Sequence, residues 1–505
     1  MPDGSKPNMK VETPLWLLPL LAMIAHVVCI NNYGFFRDEL YYLSCTHRLA
    51  WGYVDHPPFC VFLLRVVTGI FGESLAAIRI PTVIASGMTV FLTMAISRKL
   101  GAGRLGVWLT GLATLLSGMN LVLFSFYSMN PLEVLIWATA AYLVVCLVQT
   151  PSPWQWMALG AVMGIGLLNK SSAAWLVVGL YSGLALSPRR KLLASIWPWM
   201  GLALACAMTI PFIQWQALHG WPTKEFVSNA LREKMLPVPP WMFLLQQAVV
   251  INVAAVPFVV AGLCHGFRKT SREWLPLSFV FGFVLALLIF VGKSRVNYLA
   301  PAYSFVIPLG AVIIENWIKE RNPKFGLAHA LALVVCSLPS LVLGLPWMDP
   351  RSMTSLLEKV PIQPPQEEAG EKSLMQGWAD MFGWGELASE VERAVQSLPD
   401  SERANVVVVA RNYGEAAALE RFTSLKVLCG HNNFWYWGPG DWDGKTAIFV
   451  NRWPEATRSM FTEFRQIGAV DAPYAVPEQN GSPIWVARGL KLPIHTFWHS
   501  IKSFR

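Results

Sequence analysis

Apolar stretches of the length needed to cross ~30 Å of hydrocarbon, about 17 to 25 residues each, recur along the first two thirds of the chain, separated by polar or Pro/Gly-containing breaks. Eleven can be marked: Pro14–Ile30, Leu75–Ser97, Leu105–Phe124, Pro131–Gln149, Trp154–Leu168, Ser172–Ser187, Leu193–Trp215, Trp241–Cys264, Trp274–Val291, Tyr298–Ile318 and Leu327–Trp347. Two shorter stretches differ in kind. Phe59–Gly72 is interrupted by Arg65, and Tyr41–Trp51 offers an aromatic face, so both predict short helices lying along the interface over the mouth of a membrane cavity. After Trp347 the pattern changes: Asp349–Pro365 reads as a Pro and Ser linker, and the rest becomes amphipathic. There the periodicity predicts helices over Trp384–Leu398, Tyr413–Phe422 and Pro454–Phe464, with strands over Asn405–Val409, Thr446–Val450 and Ile484–Ala487.

Composition supports that reading. The chain has 505 residues, of which 54% are hydrophobic and only 14% charged, with a mean hydropathy of +0.43; a soluble globular enzyme is neither so apolar nor so poor in charge. The expectation is a polytopic α-helical membrane protein of about 11 transmembrane helices with a C-terminal extracytoplasmic α/β domain, divided as 1–348, a linker 349–370, and 371–505. The net charge of +9 does not point to nucleic acid, because Lys and Arg fall in short clusters between apolar runs. Those clusters set a topology instead. With the N-terminus inside, the inner loops hold 14 basic residues, from Lys6 and Lys10 to Lys319, Arg321 and Lys324, against 9 mixed with acids on the other side. The positive-inside rule then places the loop after the first span, and the C-terminal third, outside the cell inner membrane. The apolar run after Lys6 and Lys10 also resembles a signal peptide, but no small-residue cleavage site follows, so it is read as an anchored first helix.

The chemistry concentrates in Phe35–Phe59, FFRDELYYLSCTHRLAWGYVDHPPF. Arg37, Asp38 and Glu39 adjoin, and Asp55 and His56 precede two prolines; ionisable groups at the membrane edge mark a functional site by default. Each has a plainer alternative. Asp38 pairing with Arg37 or Arg79 would anchor the loop, Asp55 would fix its own turn, and His56 would cap the extended turn before Pro57. At the outer ends of other spans stand Glu133, Lys170, and the run GKSRVNY with Lys293, Arg295 and Tyr298; the lysines and arginines are either ligands or snorkelling side chains. A metal held by Asp38 and Glu39 with His56 or His219 is conceivable, but helical His spacing does not support it. Cys29, Cys146, Cys206, Cys264 and Cys336 read as small apolar packers, while Cys45 and Cys60 leave a bridge open that sequence alone does not fix. In RNYGEAAALE one glycine at a strand-to-helix turn is weak evidence for phosphate binding.

The order RDELYY, then DHPP, then a helix opening with AIRIP resembles the lipid-dependent glycosyltransferases of the GT-C class, and within it glycosyltransferase family 39, related to protein O-mannosyltransferases and to the aminoarabinose transferase acting on lipid A. The resemblance covers about Leu15 to Trp347, and the tail with GWGEL, NYGEAAALE and FWYWGPG looks like the outer domain of one bacterial branch. It implies a polyprenyl-phosphate sugar donor, a lipid, glycan or protein acceptor, and transfer on the non-cytoplasmic face. It also implies Asp38 as the first-loop aspartate acting as general base, Glu39 as its catalytic neighbour, and Arg79 as the basic residue of the second helix. One departure stands out: where relatives have an aspartate before the fourth helix this chain reads SMNPLE. Asn130 does not ionise, so either Glu133 replaces that acid or it is dispensable.

The residues alone allow the same chemistry. A sugar leaving as a lipid phosphate needs its developing charge balanced by fixed cations, for which Lys293, Arg295, Lys170 and Arg79 are placed, with Arg37, Asp55, His56, Glu133 and Tyr298 as further substrate contacts. The acceptor hydroxyl needs a carboxylate base, and Asp38 is the candidate. A transporter or flippase for a lipid-linked substrate is the alternative, though transporters often carry two matching halves and no internal repeat is visible. A scaffold would not explain three charges crowded into one loop.

Overall fold

The computed structural model describes residues 14–359 and 374–505, so Lys6, Lys10 and the second half of the expected linker lie outside the described residues. All eleven apolar stretches are helical. The helices are α1 (Leu17–Val28), α2 (Arg37–Thr46), α3 (Phe59–Phe71), α4 (Leu75–Lys99), α5 (Arg104–Leu115), α6 (Gly118–Leu123), α7 (Met129–Gln149), α8 (Pro153–Asn169), α9 (Ala173–Leu186) and α10 (Trp197–Leu218). They continue as α11 (Pro222–Glu233), α12 (Pro240–Val250), α13 (Val256–Phe267), α14 (Leu275–Val291), α15 (Tyr303–Arg321) and α16 (Lys324–Leu343). Among the described residues, 6 helical segments are long and apolar enough to cross a membrane, 7 if α12 and α13, bent by 98° at their junction, form one span. The chain is therefore a multi-pass membrane protein, while the count of eleven crossings goes beyond what length and composition of its helices establish.

Three expectations change. Residues 350–358 of the expected linker form a helix, α17 (Pro350–Glu358), because Asp349 caps it, its carboxylate accepting from the Ser352 N–H at 2.9 Å. The aromatic face of Tyr41, Tyr42 and Leu43 does not lie in the interface: all three are buried, since Tyr413 and Phe434 from the C-terminal region pack on Tyr41 at ring separations of 4.8 and 6.2 Å. Only Leu49 and Trp51 of that stretch stay exposed as large apolar groups. Cys45 and Cys60 are both buried and free, and Cys206, Cys264 and Cys336 are exposed rather than packed inside the bundle.

The C-terminal region adds α18 (Gln376–Ala379), α19 (Trp384–Gln396), α20 (Asp400–Arg403), β1 (Val407–Ala410), α21 (Tyr413–Phe422), β2 (Lys426–Cys429), α22 (Asn433–Trp437), β3 (Thr446–Val450), α23 (Glu455–Arg458), β4 (Phe461–Ala469), β5 (Pro483–Leu490) and α24 (Ile494–Ser500). One sheet runs in the order β2-β1-β3-β5-β4. Its first three strands are parallel and β5 and β4 antiparallel; β1 is buried along its whole length, as a central parallel strand requires. The helix expected over Pro454–Phe464 is confined to α23. From Phe461 the chain turns into β4 because pairing with β5 lets Phe461 and Phe464 pack on Phe449, at 5.2 and 5.1 Å.

α21 begins with a capping box: Asn412 Oδ1 accepts the Glu415 N–H at 3.0 Å, and Glu415 accepts from the Arg411 and Asn412 N–H groups at 2.9 and 3.3 Å. The Asn451 amide also donates to Glu415. Burial nevertheless raises the Glu415 carboxyl from 4.5 to about 7, these hydrogen bonds opposing the rise. Its folded form holds a proton that the unfolded chain releases near 4.5, so stability should fall as pH rises from about 4.5 to about 7. Denaturation of the full chain across that window should show this loss, and Glu415→Gln should flatten it; an unchanged slope in the variant would rule the assignment out.

Candidate functional site

The loop bearing Asp38 is held by one buried ion pair. Glu39, in the first turn of α2, is inaccessible, and so is Arg79 on α4. Arg79 Nε donates to Glu39 Oε1 at 2.8 Å and Nη2 to Oε2 at 2.9 Å, a bidentate fork. Oε1 also accepts the Tyr127 N–H at 2.7 Å and Oε2 the Phe36 N–H at 2.8 Å. The remaining Arg79 donors reach the carbonyls of Ile30, Asn32 and Gly34 at 3.0, 3.3 and 2.9 Å. Every lone pair of the carboxylate and every N–H of the guanidinium is thus used, which is the condition for a buried pair to be tolerated. In this arrangement every Glu39 lone pair and every Arg79 donor is engaged in bonds that hold the loop.

Asp38, one residue earlier, is partly exposed, with a side-chain accessibility of 27%. Its Oδ1 accepts from the Tyr413 hydroxyl at 2.8 Å and lies 4.0 Å from Arg37 Nε. Among the described residues Oδ2 makes no hydrogen bond. Arg37 points to the C-terminal region as well, 3.4 Å from Asp380 and 5.6 Å from the centre of the Tyr413 ring. Asp55 accepts from the Tyr41 hydroxyl at 3.0 Å, and burial pushes its carboxyl up, with His56 and Tyr41 acting in the other direction. His56 is buried; Nδ1 donates to the Pro57 carbonyl at 2.9 Å, and Nε2 has no partner within a cage of Tyr41, Tyr42 and Tyr53 rings. It packs the loop against these three rings. His219 stacks on Trp215 at 4.1 Å, with Nδ1 on the Trp215 carbonyl. Among the described residues no group of three His, Cys, Asp or Glu side chains is placed to hold a metal.

A second cluster sits at the N-terminus of α7. Lys170 Nζ donates to Glu133 at 2.8 Å and to Asn130 Oδ1 at 2.9 Å, Ser172 donates to the other oxygen of Glu133, and the Tyr298 ring lies 5.0 Å from Nζ. Four sequence candidates or neighbours, Asn130, Glu133, Lys170 and Tyr298, therefore meet. Along the chain the cluster follows a residue that the Asp38 loop holds: Tyr127, whose N–H is bound by Glu39, stands just before the extended Ser128 that caps α7. Lys293 is placed elsewhere: its Nζ donates to the Leu231 carbonyl near the end of α11 at 2.9 Å, and Arg295 is exposed. Arg79 is internal, whereas Lys293 satisfies a backbone carbonyl.

Sequence reading missed the contribution of the C-terminal region. Asn433 Oδ1 accepts the Val54 N–H at 2.8 Å and its own N–H meets the Tyr41 hydroxyl at 3.3 Å, while Trp384 Nε1 donates to the Phe35 carbonyl at 3.0 Å. Gly414 marks a close approach rather than a phosphate turn: a Cβ there would lie 2.5 Å from Arg37 Cγ. The pattern of the family described as Dolichyl-phosphate-mannose-protein mannosyltransferase matches residues 55–215.

Two curated proteins of Pseudomonas fluorescens are similar in sequence, the undecaprenyl phosphate-alpha-4-amino-4-deoxy-L-arabinose arabinosyl transferases 1 and 2. The first is 22% identical over 375 residues, 64% of this chain and 66% of the relative; the second is 19% identical over 371 residues, 65% and 63%. The chain thus spans slightly less than two thirds of the length of these relatives. In fold it is similar to ArnT from Cupriavidus metallidurans. The apo structure matches with a TM-score of 0.60 at 13% identity, covering 96% of this chain and 98% of that one. The structure bound to undecaprenyl phosphate matches at 0.58, with 13% identity and coverages of 93% and 97%.

The Glu39–Arg79 pair yields a test of role. Glu39→Ala leaves a buried guanidinium unpaired and should cost about 3–5 kcal/mol of stability, seen as a large drop in the melting temperature of the detergent-solubilised chain. A variant that melts like the parent would show that the pair is not what holds the loop.

Proposed function

We propose, from the premise that the chain belongs to the GT-C class of membrane glycosyltransferases, that it transfers a sugar from a polyprenyl-phosphate donor to a lipid, glycan or protein acceptor. Asp38 is the general base. The observation carrying this is its asymmetry: Oδ1 is fixed by Tyr413, while Oδ2 makes no hydrogen bond among the described residues and the side chain is open to its surroundings. An acceptor hydroxyl approaching Oδ2 gives up its proton as its oxygen attacks the anomeric carbon, and the sugar–phosphate bond breaks with its electron pair leaving on the lipid phosphate. A phosphate leaving group needs charge balance rather than a strong acid. Lys170 supplies it beside the N-terminus of α7, where the helix dipole also favours an anion. Glu133 then orients Lys170 and stands in for the missing acid at Asn130 as a structural partner. Lys293 and Arg295, at the outer end of α14, serve as outlying contacts to the donor, and Asp55, His56, Arg37 and Tyr298 shape the pocket.

The bias of basic residues toward the opposite loops supports an extracytoplasmic position for this loop and the C-terminal domain. Undecaprenyl phosphate is named for the related proteins and is the first donor carrier to test. The 98° break between α12 and α13 is the feature that would suit a transporter, but the acidic loop is single and fixed by a fully satisfied ion pair, which suits a rigid reaction site better than an alternating one.

Two outcomes check the proposal. Asp38→Asn should lower sugar transfer by about 10²–10⁴-fold at unchanged yield and melting temperature; a variant turning over like the parent removes Asp38 from the mechanism. Lys170→Ala should weaken undecaprenyl phosphate binding by about tenfold or more, as loss of a charge-assisted contact does, while Lys293→Ala should weaken it less. Equal affinities for parent and Lys170→Ala would place the phosphate elsewhere.

A further inference from the structure

Asp38 is held from outside the membrane bundle. We infer that Tyr413 is a positioning residue for Asp38, so that the C-terminal domain completes the reacting centre as well as covering it. The inference rests on the transferase reading above and extends it to a residue of the other domain. A carboxylate bonded through one oxygen presents the other in a fixed direction, and Tyr413 bonds Oδ1 at 2.8 Å. Without that bond Asp38 would keep only the 4.0 Å approach of Arg37 Nε, too long for a hydrogen bond.

Tyr413 is itself immobilised on every side. Its ring lies 4.8 Å from that of Tyr41 on α2 and under the Arg37 guanidinium at 5.6 Å. Its N–H is directed to His431 Nδ1 at 3.3 Å, and His431 Nε2 meets the Arg505 carbonyl at 2.8 Å. Nδ1 accepts only from a neutral imidazole whose proton is on Nε2. Burial, together with Lys234, Arg505 and Arg37, keeps His431 neutral by holding its pKa well below the ordinary value. Burial also raises the Tyr413 phenol well above its ordinary range, so it remains a donor at neutral pH. The capping box fixes the start of α21 one residue before Tyr413, and Gly414 admits the helix against Arg37.

The domain grips the second arm of the loop too. Asn433 accepts from the Val54 N–H at 2.8 Å and meets the Tyr41 hydroxyl, which donates to Asp55 at 3.0 Å. Two residues of one domain, Tyr413 and Asn433, therefore set the relative position of Asp38 and Asp55. A domain that only recognised acceptor would not need a phenol on the carboxylate that is to take the acceptor's proton.

The test compares membranes from a deletion strain carrying parent, Asp38→Asn, Asp38→Glu, Tyr413→Phe, Tyr413→Phe with Asp38→Glu, or Glu420→Ala. The measured product is the glycosylated lipid, glycan or protein that the deletion strain lacks, and its formation is followed at several concentrations of endogenous donor lipid. Tyr413→Phe keeps the ring and loses the hydroxyl; it should lower maximal rate by about 10- to 100-fold with half-saturation by donor within about twofold. Asp38→Glu moves the carboxylate away from Tyr413, so adding Tyr413→Phe to it should cost less than about twofold more, the non-additivity expected of one shared contact. Glu420→Ala removes an exposed bridge from the same domain to Arg48, 2.7 Å long, and should leave the rate unchanged. If Asp38→Asn is inactive while Tyr413→Phe matches the parent, or if Tyr413→Phe costs the same in both Asp38 backgrounds, the positioning role is overturned and the transferase reading stands. If Asp38→Asn is active, Asp38 is not the base and this inference falls while the transferase reading stands; if the deletion strain lacks no glycosylated lipid, glycan or protein, the transferase reading falls and this inference with it.

Discussion

The buried pair of Glu39 and Arg79 is the constraint on which the arrangement depends. Two charges out of water are costly, and only complete satisfaction makes them tolerable. Here that satisfaction requires the start of α2, the Ile30–Gly34 turn, α4 and the Tyr127 N–H to meet at one point. The pair therefore fixes how α2 starts and so where Asp38 stands. It also sets the distance from Asp38 to the N-terminus of α7, because Tyr127 precedes that helix and Asn130 and Glu133 lie on its first turns. Placing the charges on structural residues leaves the neighbouring carboxylate partly exposed and underused, which is the state a base requires.

A second consequence is that the loop is shared between two parts of the chain. One side is set by Arg79 and Tyr127 of the helical bundle, the other by Tyr413, Asn433 and Trp384 of the C-terminal region. The α/β domain, built on the five-stranded sheet, owes its orientation to the same contacts, since α21 lies directly on α2. Bundle and domain are in this sense halves of one site.

What the sequence disclosed follows from the range of each signal. Apolar runs are local, so all eleven appeared as helices, and the periodicity of Tyr413–Phe422 located α21 to the residue. The composite loop motif was local too, and it marked the segment where the charges converge. Roles within the motif were not local. Adjacent carboxylates at 38 and 39 differ only in which way α2 turns them, one toward Arg79 and one toward Tyr413, and nothing in RDELYY says which. β4 was misread because Pro454–Phe464 is amphipathic at short range while its partner β5 lies some twenty residues further on. Tyr413 and Asn433 carry no signal near position 38 at all; their role arises only from packing across more than 370 residues. Lys293 and Arg295 illustrate the converse, a cationic run at a helix end whose lysine turned out to satisfy a backbone carbonyl.

The central proposal is spatial: Asp38 and the Lys170 cluster at the head of α7 act on the same donor. The most direct measurement is a cryo-EM map of the full chain in lipid nanodiscs with undecaprenyl phosphate added. The account predicts the phosphate within hydrogen-bond distance of Lys170, with the Asp38 carboxylate still bonded to Tyr413 and its free oxygen turned to the same space. Phosphate density bound away from Lys170, or an Asp38 separated from it by protein, would contradict the account.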